Sequence, residues 1–159
     1  MAVTEAAVWA ALAAVKDPEI PPISVVELGM VDAVQVAGGR VTVRAVPTYV
    51  GCPALAIIRR DIAAGVRSLP GVEAVTVDFV FDPPWSSDRI TPAGQEKLKS
   101  FGIAPAPRCS ELVLLEEPRP CPYCGSTRTH LENAFGPTAC RSIYYCDACR
   151  NPFEAIKPI

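Results

Sequence analysis

The chain has 159 residues, of which 50% are apolar and 20% are charged, and its formal net charge is −2. This composition argues against an intrinsically disordered chain and against a strongly basic nucleic-acid-binding protein. The unusual features are seven Cys and 17 Pro. Five of the Cys lie between Cys121 and Cys149, and eight of the Pro lie between Pro83 and Pro122, so the composition indicates two regions.

The first half of the chain predicts the order helix, strand, strand, helix, strand. Val8, Leu12 and Val15 recur at helical spacing after the capping residue Thr4, and alternation of polar and apolar residues predicts the strands. The predicted elements are a helix from Thr4 to about residue 16, a hairpin of residues 31–36 and 40–46, a helix from Cys52-Pro53 to about residue 68, and a strand over residues 72–80.

The Pro-rich region after residue 82 predicts a connection that contains one short helix. Thr91-Pro92 begins this helix, and Gly102 ends it. We therefore expect three segments: an α/β domain over residues 1–82, a connecting region over residues 83–120 and a second module over residues 121–159. No apolar run is long enough to span a bilayer, so we expect a cytoplasmic protein with no membrane partner.

Two C-x-x-C motifs predict a metal site in the second module. Cys121 and Cys124 form the first motif, and Cys146 and Cys149 form the second after a gap of 21 residues. In a reducing compartment, clustered thiols are metal ligands or redox groups more often than disulfides. Four thiolates fill a tetrahedral site and leave no position for a substrate, so the pattern predicts structural zinc in a zinc ribbon.

Other interpretations of these cysteines are less favoured. A glutaredoxin-type redox pair needs much more chain after the motif than the 35 residues that follow Cys124. A rubredoxin-like iron site has the same four-sulfur geometry, which spacing alone does not separate from zinc. Cys140 is expected to be a small buried residue and His130 a surface or packing residue, while Cys109 has no predicted role.

Cys52 is the informative thiol of the first domain. It lies between Gly51 and Pro53 at the start of a predicted helix, where the helix dipole favours a thiolate. Such a group serves as a nucleophile, a transient metal ligand or only a half-buried capping residue, and the residues alone do not decide among them. Asp17 and Glu19 flank Pro18 in a loop, where solvated carboxylates are the default interpretation.

Three segments of the first domain resemble the metal-sulfur cluster biosynthesis domain, an iron–sulfur assembly domain related to SufT. They are Asp17-Pro18-Glu19-Ile20-Pro21, Ser24-Val25-Val26-Glu27-Leu28-Gly29-Met30-Val31 and Pro47-Thr48-Tyr49-Val50-Gly51-Cys52-Pro53-Ala54. The segments around residues 82–88, 135–140 and 152–153 extend the match to the PaaD (PaaJ) family, whose members are subunits of the phenylacetyl-CoA epoxidase system. The sequence departs from that family's pattern at Arg89 and Asn151.

The resemblance implies an α+β fold, namely a small α-β-β-α-β iron–sulfur assembly domain with a C-terminal four-Cys zinc ribbon. It implies an accessory protein of aerobic phenylacetate degradation, with no catalytic residue of its own, that helps to assemble the iron–sulfur cluster of the epoxidase reductase. By position, Cys52 becomes the candidate thiol for a transient iron ion or cluster, with Asp17 and Glu19 close to it. The implied partners are the reductase and oxygenase subunits, and a homodimer is left open.

Two other functional classes remain open at this point. One is a structural subunit of the oxygenase complex that handles no iron, and the other is an electron-transfer protein with iron at the four Cys. Nucleic-acid binding is disfavoured because five Lys/Arg and four Asp/Glu follow residue 116, with no basic stripe.

Overall fold

The structure is a computed structural model that describes residues 2–108 and 117–159. It divides into two compact units, Met1–Trp85 and Ser86–Ile159, and each unit contains one small β-sheet. The elements confirm the predicted α+β class. In chain order they are α1 (Glu5–Ala14), β1 (Val31–Ala37), β2 (Arg40–Ala45), α2 (Leu55–Arg67), β3 (Ala74–Phe79), a 3-10 turn (Ser87–Arg89), α3 (Pro92–Ser100), β4 (Ile103–Ala104), β5 (Thr129–Asn133), β6 (Arg141–Cys146) and β7 (Asn151–Ile156).

The first unit contains a three-stranded sheet with the order β1-β2-β3. β1 and β2 form the predicted antiparallel hairpin, in which Gly38 has a φ of 61° that a side chain would disfavour. β3 is parallel to β2, so α2 is the crossover between them, and Val43 lies opposite both Val34 and Val77 in register. These three Val are buried and form part of the core under the sheet.

The helices of the first unit cover the core with apolar residues at helical spacing, a pattern that the sequence predicts for α1. Thr4 caps α1 by accepting a hydrogen bond from the Ala7 N–H at 3.2 Å, and Leu12 on this helix is buried. The buried residues of α2 recur at i, i+4 and i+8: Ile58, Ile62 and Val66. Burial of one apolar face stabilises each of these helices in the folded unit.

The start of α2 differs from the prediction. The helix begins at Leu55 with Ala54 as its N-cap residue, whereas the sequence pattern predicts Cys52 at the cap. The Leu55 N–H donates to the Cys52 carbonyl at 3.4 Å, so the chain makes a turn before the helix. The fixed φ of Pro53 suits that turn as well as a first helical turn, which is why the sequence pattern did not separate them.

β3 is an edge strand whose outer side is partly covered by α2. The Arg59 guanidinium donates a hydrogen bond from Nη1 to the Val77 carbonyl at 2.7 Å. The same group lies 5.0 Å from the centroid of the Phe79 ring, a cation–π distance.

The second unit contains a four-stranded sheet with the order β4-β7-β6-β5. β5, β6 and β7 are antiparallel, and β4 is parallel to β7. Tyr144 is fully buried on β6, and its ring stacks on Phe153 of β7 with 5.8 Å between centroids. Arg141 is also buried, where its Nη1 donates to the Glu154 carboxylate at 2.6 Å and its Nε donates to the Thr138 hydroxyl at 2.8 Å.

Residues 86–104 belong to the second unit, although the sequence predicts a connecting region over residues 83–120. Ile103 of β4 pairs with Glu154 of β7, and the Ser87 N–H donates to the Ile159 carbonyl at 2.9 Å. The boundary between the compact units therefore falls after Trp85. The compact unit that contains the four Cys begins at Ser86 and is larger than the predicted module of residues 121–159. In the described part of the chain, no helix combines the length and apolar character needed to cross a bilayer.

A four-cysteine metal centre and the Cys52 loop

The two C-x-x-C motifs form two similar tight turns in the second unit. In each, an N–H donates at 2.8 Å to the carbonyl of the first Cys: Gly125 N–H to Cys121, and Arg150 N–H to Cys146. The donor residue has a positive φ in both turns, 74° at Gly125 and 59° at Arg150. These matching turns bring the thiols of the two motifs together.

The four sulfurs have the spacing of a tetrahedral metal site. The Sγ atoms of Cys121, Cys124, Cys146 and Cys149 all lie within 4.8 Å of one another. The Cys121–Cys149 and Cys124–Cys146 Sγ pairs are 3.7 and 3.6 Å apart. A tetrahedron with metal–sulfur bonds of about 2.3 Å has edges of about 3.8 Å, so the donor set fits a zinc-sized ion. The predicted metal ligands are thus brought together, and they form a metal-binding site.

The thiols of this site differ in pKa because their hydrogen-bond partners and their burial differ. The Asn151 side chain, followed by the neighbouring thiols of Cys146 and Cys121, lowers the pKa of Cys149 to about 6. At Cys124 the Ser126 backbone N–H favours the thiolate, but burial and the three other thiols outweigh it and raise the pKa to about 11. Burial also raises the pKa of Cys121. One negative charge is therefore favoured in the metal-free site, and further ionisation is opposed.

Metal binding at pH 7 is expected to release protons from Cys121 and Cys124 but not from Cys149. The first two have pKa values above the ordinary thiol value and are protonated at pH 7, whereas a pKa of about 6 leaves Cys149 ionised. Zinc affinity should therefore fall as pH falls, and most steeply below pH 6, where Cys149 also takes up a proton. Calorimetric titration with zinc in buffers of different ionisation enthalpy measures the release. Release of fewer than two protons at pH 7 contradicts this prediction.

The remaining thiols and the single His of this region lie outside the metal-binding group. Cys140 is half-buried, and its Sγ is 3.3 Å from the Thr138 hydroxyl. His130 is an exposed residue whose ring nitrogens contact the carboxylates of Glu132 and Asp147 at 2.9 and 3.4 Å. Cys109 falls outside the residues that the structure describes.

Cys52 lies in the loop between β2 and α2, two residues after the exposed Val50. Its thiol is half-buried, and its N–H donates to the Tyr49 carbonyl at 3.2 Å, which closes a turn. Tyr49 and Val50 in the same loop are 47% and 75% exposed. Exposed apolar residues beside a thiol make this loop a candidate contact surface for another protein.

The loop after α1 is organised by Asp17, which the sequence singles out together with Glu19. Asp17 is 8% exposed, and its Oδ1 accepts hydrogen bonds from the N–H groups of Glu19 and Ile20 at 2.8 and 2.9 Å. The side chain therefore holds its own loop in shape, instead of being the solvated group expected by default. Glu19 follows it in the same loop. A role of either carboxylate toward iron stays a prediction.

A reciprocal side-chain cap in the next loop was not predicted. The Ser24 N–H donates to the Glu27 carboxylate at 2.9 Å, and the Glu27 N–H donates to the Ser24 hydroxyl at 3.1 Å. The S-x-x-E spacing was the available signal. The indole Nε1 of Trp85 donates to the Leu28 carbonyl at 3.0 Å, which ties this loop to the segment that ends the first unit. Ser24, Glu27 and Leu28 of the family motif thus help to maintain the conformation of this loop.

Comparison with family models gives one match for each half of the chain. Residues 5–79 match the model described as iron-sulfur cluster assembly protein, and residues 105–157 match the model described as PaaD zinc beta ribbon domain. The first match covers α1 through β3, and the second contains all four clustered cysteines. The structure and the family models therefore agree on a zinc ribbon at the C-terminal side.

Known proteins resemble nearly the whole chain or somewhat more than half of it. An Escherichia coli (strain K12) protein, named as a subunit of a "Putative 1,2-phenylacetyl-CoA epoxidase", is 38% identical over 96% of this chain and 92% of its own length. A Porphyromonas gingivalis "Fe-S protein maturation auxiliary factor" is 39% identical over 55% of this chain and 84% of its own length. A crystal structure of a domain of unknown function from Bacillus anthracis has a TM-score of 0.56 at 30% identity, over 59% of this chain and 90% of that chain.

Proposed function

Because the chain belongs to the PaaD family of 1,2-phenylacetyl-CoA epoxidase subunits, we propose that it is an accessory maturation subunit of that epoxidase system. In this role it assists assembly of the iron–sulfur cluster in the reductase component. The protein itself performs no independent catalysis, and its partners are the reductase and oxygenase subunits.

The observation that carries this proposal is the division of the cysteines between two units. The second unit uses four thiols in one closed site, which suits structural zinc because no coordination position is left for cargo. In the first unit, which matches the iron-sulfur cluster assembly model, Cys52 stands in a loop with exposed Tyr49 and Val50. The thiol that can exchange cargo is therefore separate from the thiols that hold the resident metal.

Cys52 is proposed to act as one exchangeable ligand to an iron ion or cluster. Stable clusters are usually held by four thiolates, so a single thiol binds a cluster incompletely and favours its transfer to a protein that supplies the other ligands. The exposed apolar residues of the loop give such a recipient a contact surface that also excludes water. In this proposal Asp17 maintains the shape of its own loop, which carries the first segment of the family motif.

Cys52→Ser is the test of this function, with Cys140→Ser as its control. Both residues are half-buried thiols outside the four-Cys group, so the two variants make the same chemical change. At equal expression in cells, Cys52→Ser should lower the cluster content and activity of the reductase to the level seen without this protein, whereas Cys140→Ser should not. After anaerobic purification, iron and labile sulfide should be lost only in Cys52→Ser, with zinc near one per chain in both. An unchanged reductase in the Cys52→Ser strain contradicts the proposal.

A structural subunit is the second candidate, and exposed apolar residues of the second unit favour it. Phe101, Tyr123 and Phe135 are 47%, 58% and 76% exposed, which is unusual for aromatic side chains and suits a protein contact. Co-purification with the oxygenase subunits at fixed stoichiometry, together with normal reductase maturation in Cys52→Ser cells, supports this candidate over the first.

A further inference from the structure

Arg119 is a buried cation whose Nε lacks a partner among the described residues. The residue is 4% exposed, and this Nε has no hydrogen-bond partner within residues 2–108 and 117–159. Its backbone, in contrast, is fixed on both sides by Thr129, whose hydroxyl accepts from the Arg119 N–H at 2.9 Å and donates to the Arg119 carbonyl at 2.6 Å. Buried Arg side chains are nearly always paired, because desolvating a charge without a partner is costly.

Arg119 lines a cavity of about 580 Å³ in the second unit, which we call the Pro-walled cavity. This volume is in the range of small-molecule sites. Its walls include the rings of five proline residues, which are rigid and offer no backbone N–H. Gln95, Lys99, Glu117 and Cys121 also line the cavity.

The metal centre does not provide the missing partner. Cys121 lines the same cavity, yet its sulfur lies against Cys149 within the described residues and makes no hydrogen bond with Arg119. Lys99 adds a second cation to the lining, although its Nζ is 2.9 Å from the Glu96 carboxylate. A buried guanidinium and an ammonium beside an apolar cavity are the features of a site for an anion that has an apolar body.

The lining also limits the charge of that anion. Glu117 is negative and opposes Arg119 and Lys99 around the same cavity. A dianion such as phosphate therefore meets more repulsion than a monoanion does. The proline rings favour an apolar body over a hydrated one.

We propose that the Pro-walled cavity binds a small organic carboxylate with an apolar body, whose negative charge is held by Arg119. The planar guanidinium matches a carboxylate in shape as well as in charge. This site is independent of Cys52, which lies in the other compact unit.

Titration of the full, zinc-loaded chain with benzoate and hexanoate tests the proposal, with benzamide and hexanamide as neutral analogues and phosphate as the dianion. We expect saturable binding of the carboxylates by calorimetry and at least about tenfold weaker binding of the amides and of phosphate. In a nuclear magnetic resonance titration, the shifted signals should include those of Gln95 and Lys99. Absence of saturable carboxylate binding, or equal binding of the amides, overturns the proposal.

Arg119→Met, which keeps much of the side chain's length and removes its charge, should weaken benzoate binding by about tenfold or more. Arg128→Met is the matched control, because Arg128 is an exposed Arg in the same unit that does not line the cavity. Zinc content and circular dichroism show whether each variant is folded, and if Arg119→Met does not fold, the comparison of acids with amides on the unmodified chain decides. Benzoate binding equal in the folded Arg119→Met protein and the unmodified chain contradicts the assignment. Cys52→Ser should bind benzoate normally, which separates this proposal from the maturation role.

Discussion

Cys146→Ser is expected to abolish stable metal binding and to unfold the sheet of the second unit. The Sγ of Cys146 belongs to the four-sulfur group, and its residue is also fully buried at the end of β6. Structural zinc contributes an apparent free energy of about 10–16 kcal/mol in zinc-finger peptides, which is more than a small core supplies. The buried cluster of this sheet depends on the site directly, since two of its six members are ligands: Ala104, Cys121, Tyr144, Cys146, Phe153 and Ala155.

The measurement is zinc content by mass spectrometry together with the dispersion of amide signals from residues 117–159. Cys140→Ser serves as the control, because it changes a thiol of the same unit that lies outside the four-sulfur group. We expect zinc near one per chain and dispersed signals in the control, with both lost in Cys146→Ser. Retention of zinc and of dispersed signals by Cys146→Ser contradicts a structural role for the metal.

Ile62→Ala is expected to lower the free energy of unfolding of the first unit by about 2–5 kcal/mol. Ile62 is fully buried on the face of α2 that covers the core, so its truncation leaves a cavity. Ile57→Ala on the same helix is the matched control. Ile57 is 41% exposed, and its truncation should cost less than about 1 kcal/mol.

Chemical denaturation followed by a signal of the first unit measures both changes. If the two variants lower the free energy of unfolding equally, the result contradicts the buried position of Ile62 and the exposed position of Ile57. Ile57 is exposed in the first turn of α2, close in sequence to the Cys52 loop. If Ile57→Ala weakens binding to a partner protein and leaves the free energy of unfolding unchanged, that result fits this exposed position.

Local patterns predicted most of the first unit. The cap at Thr4 and the hairpin of β1 and β2 depend on near neighbours in sequence, and each is found as expected. The start of α2 was misplaced by a few residues, because Pro53 is compatible with both a turn and a first helical turn. The parallel pairing of β2 with β3 is a contact between distant segments, and periodicity carries no information about strand order.

The second unit shows the limits of local patterns more clearly. Two paired C-x-x-C motifs were sufficient to predict the metal ligands, because the type and spacing of the residues determine which side chains can bind the metal. β4 has only two residues and no period, so its pairing with β7 could not be predicted, and the segment was interpreted as a connection. The burial of Arg119 was missed for a similar reason, because a charged residue between prolines suggests an exposed linker.

The position of Arg59 at the outer side of β3 has a consequence for self-association. An edge strand offers its carbonyl and N–H groups to any other chain, and such edges are where proteins polymerise into aggregates. Here the Val77 carbonyl is already occupied by the Arg59 guanidinium, and a fixed positive charge lies against Phe79. A neighbouring molecule that adds a strand to this edge must first displace that charge, so this side of the sheet is protected against polymerisation.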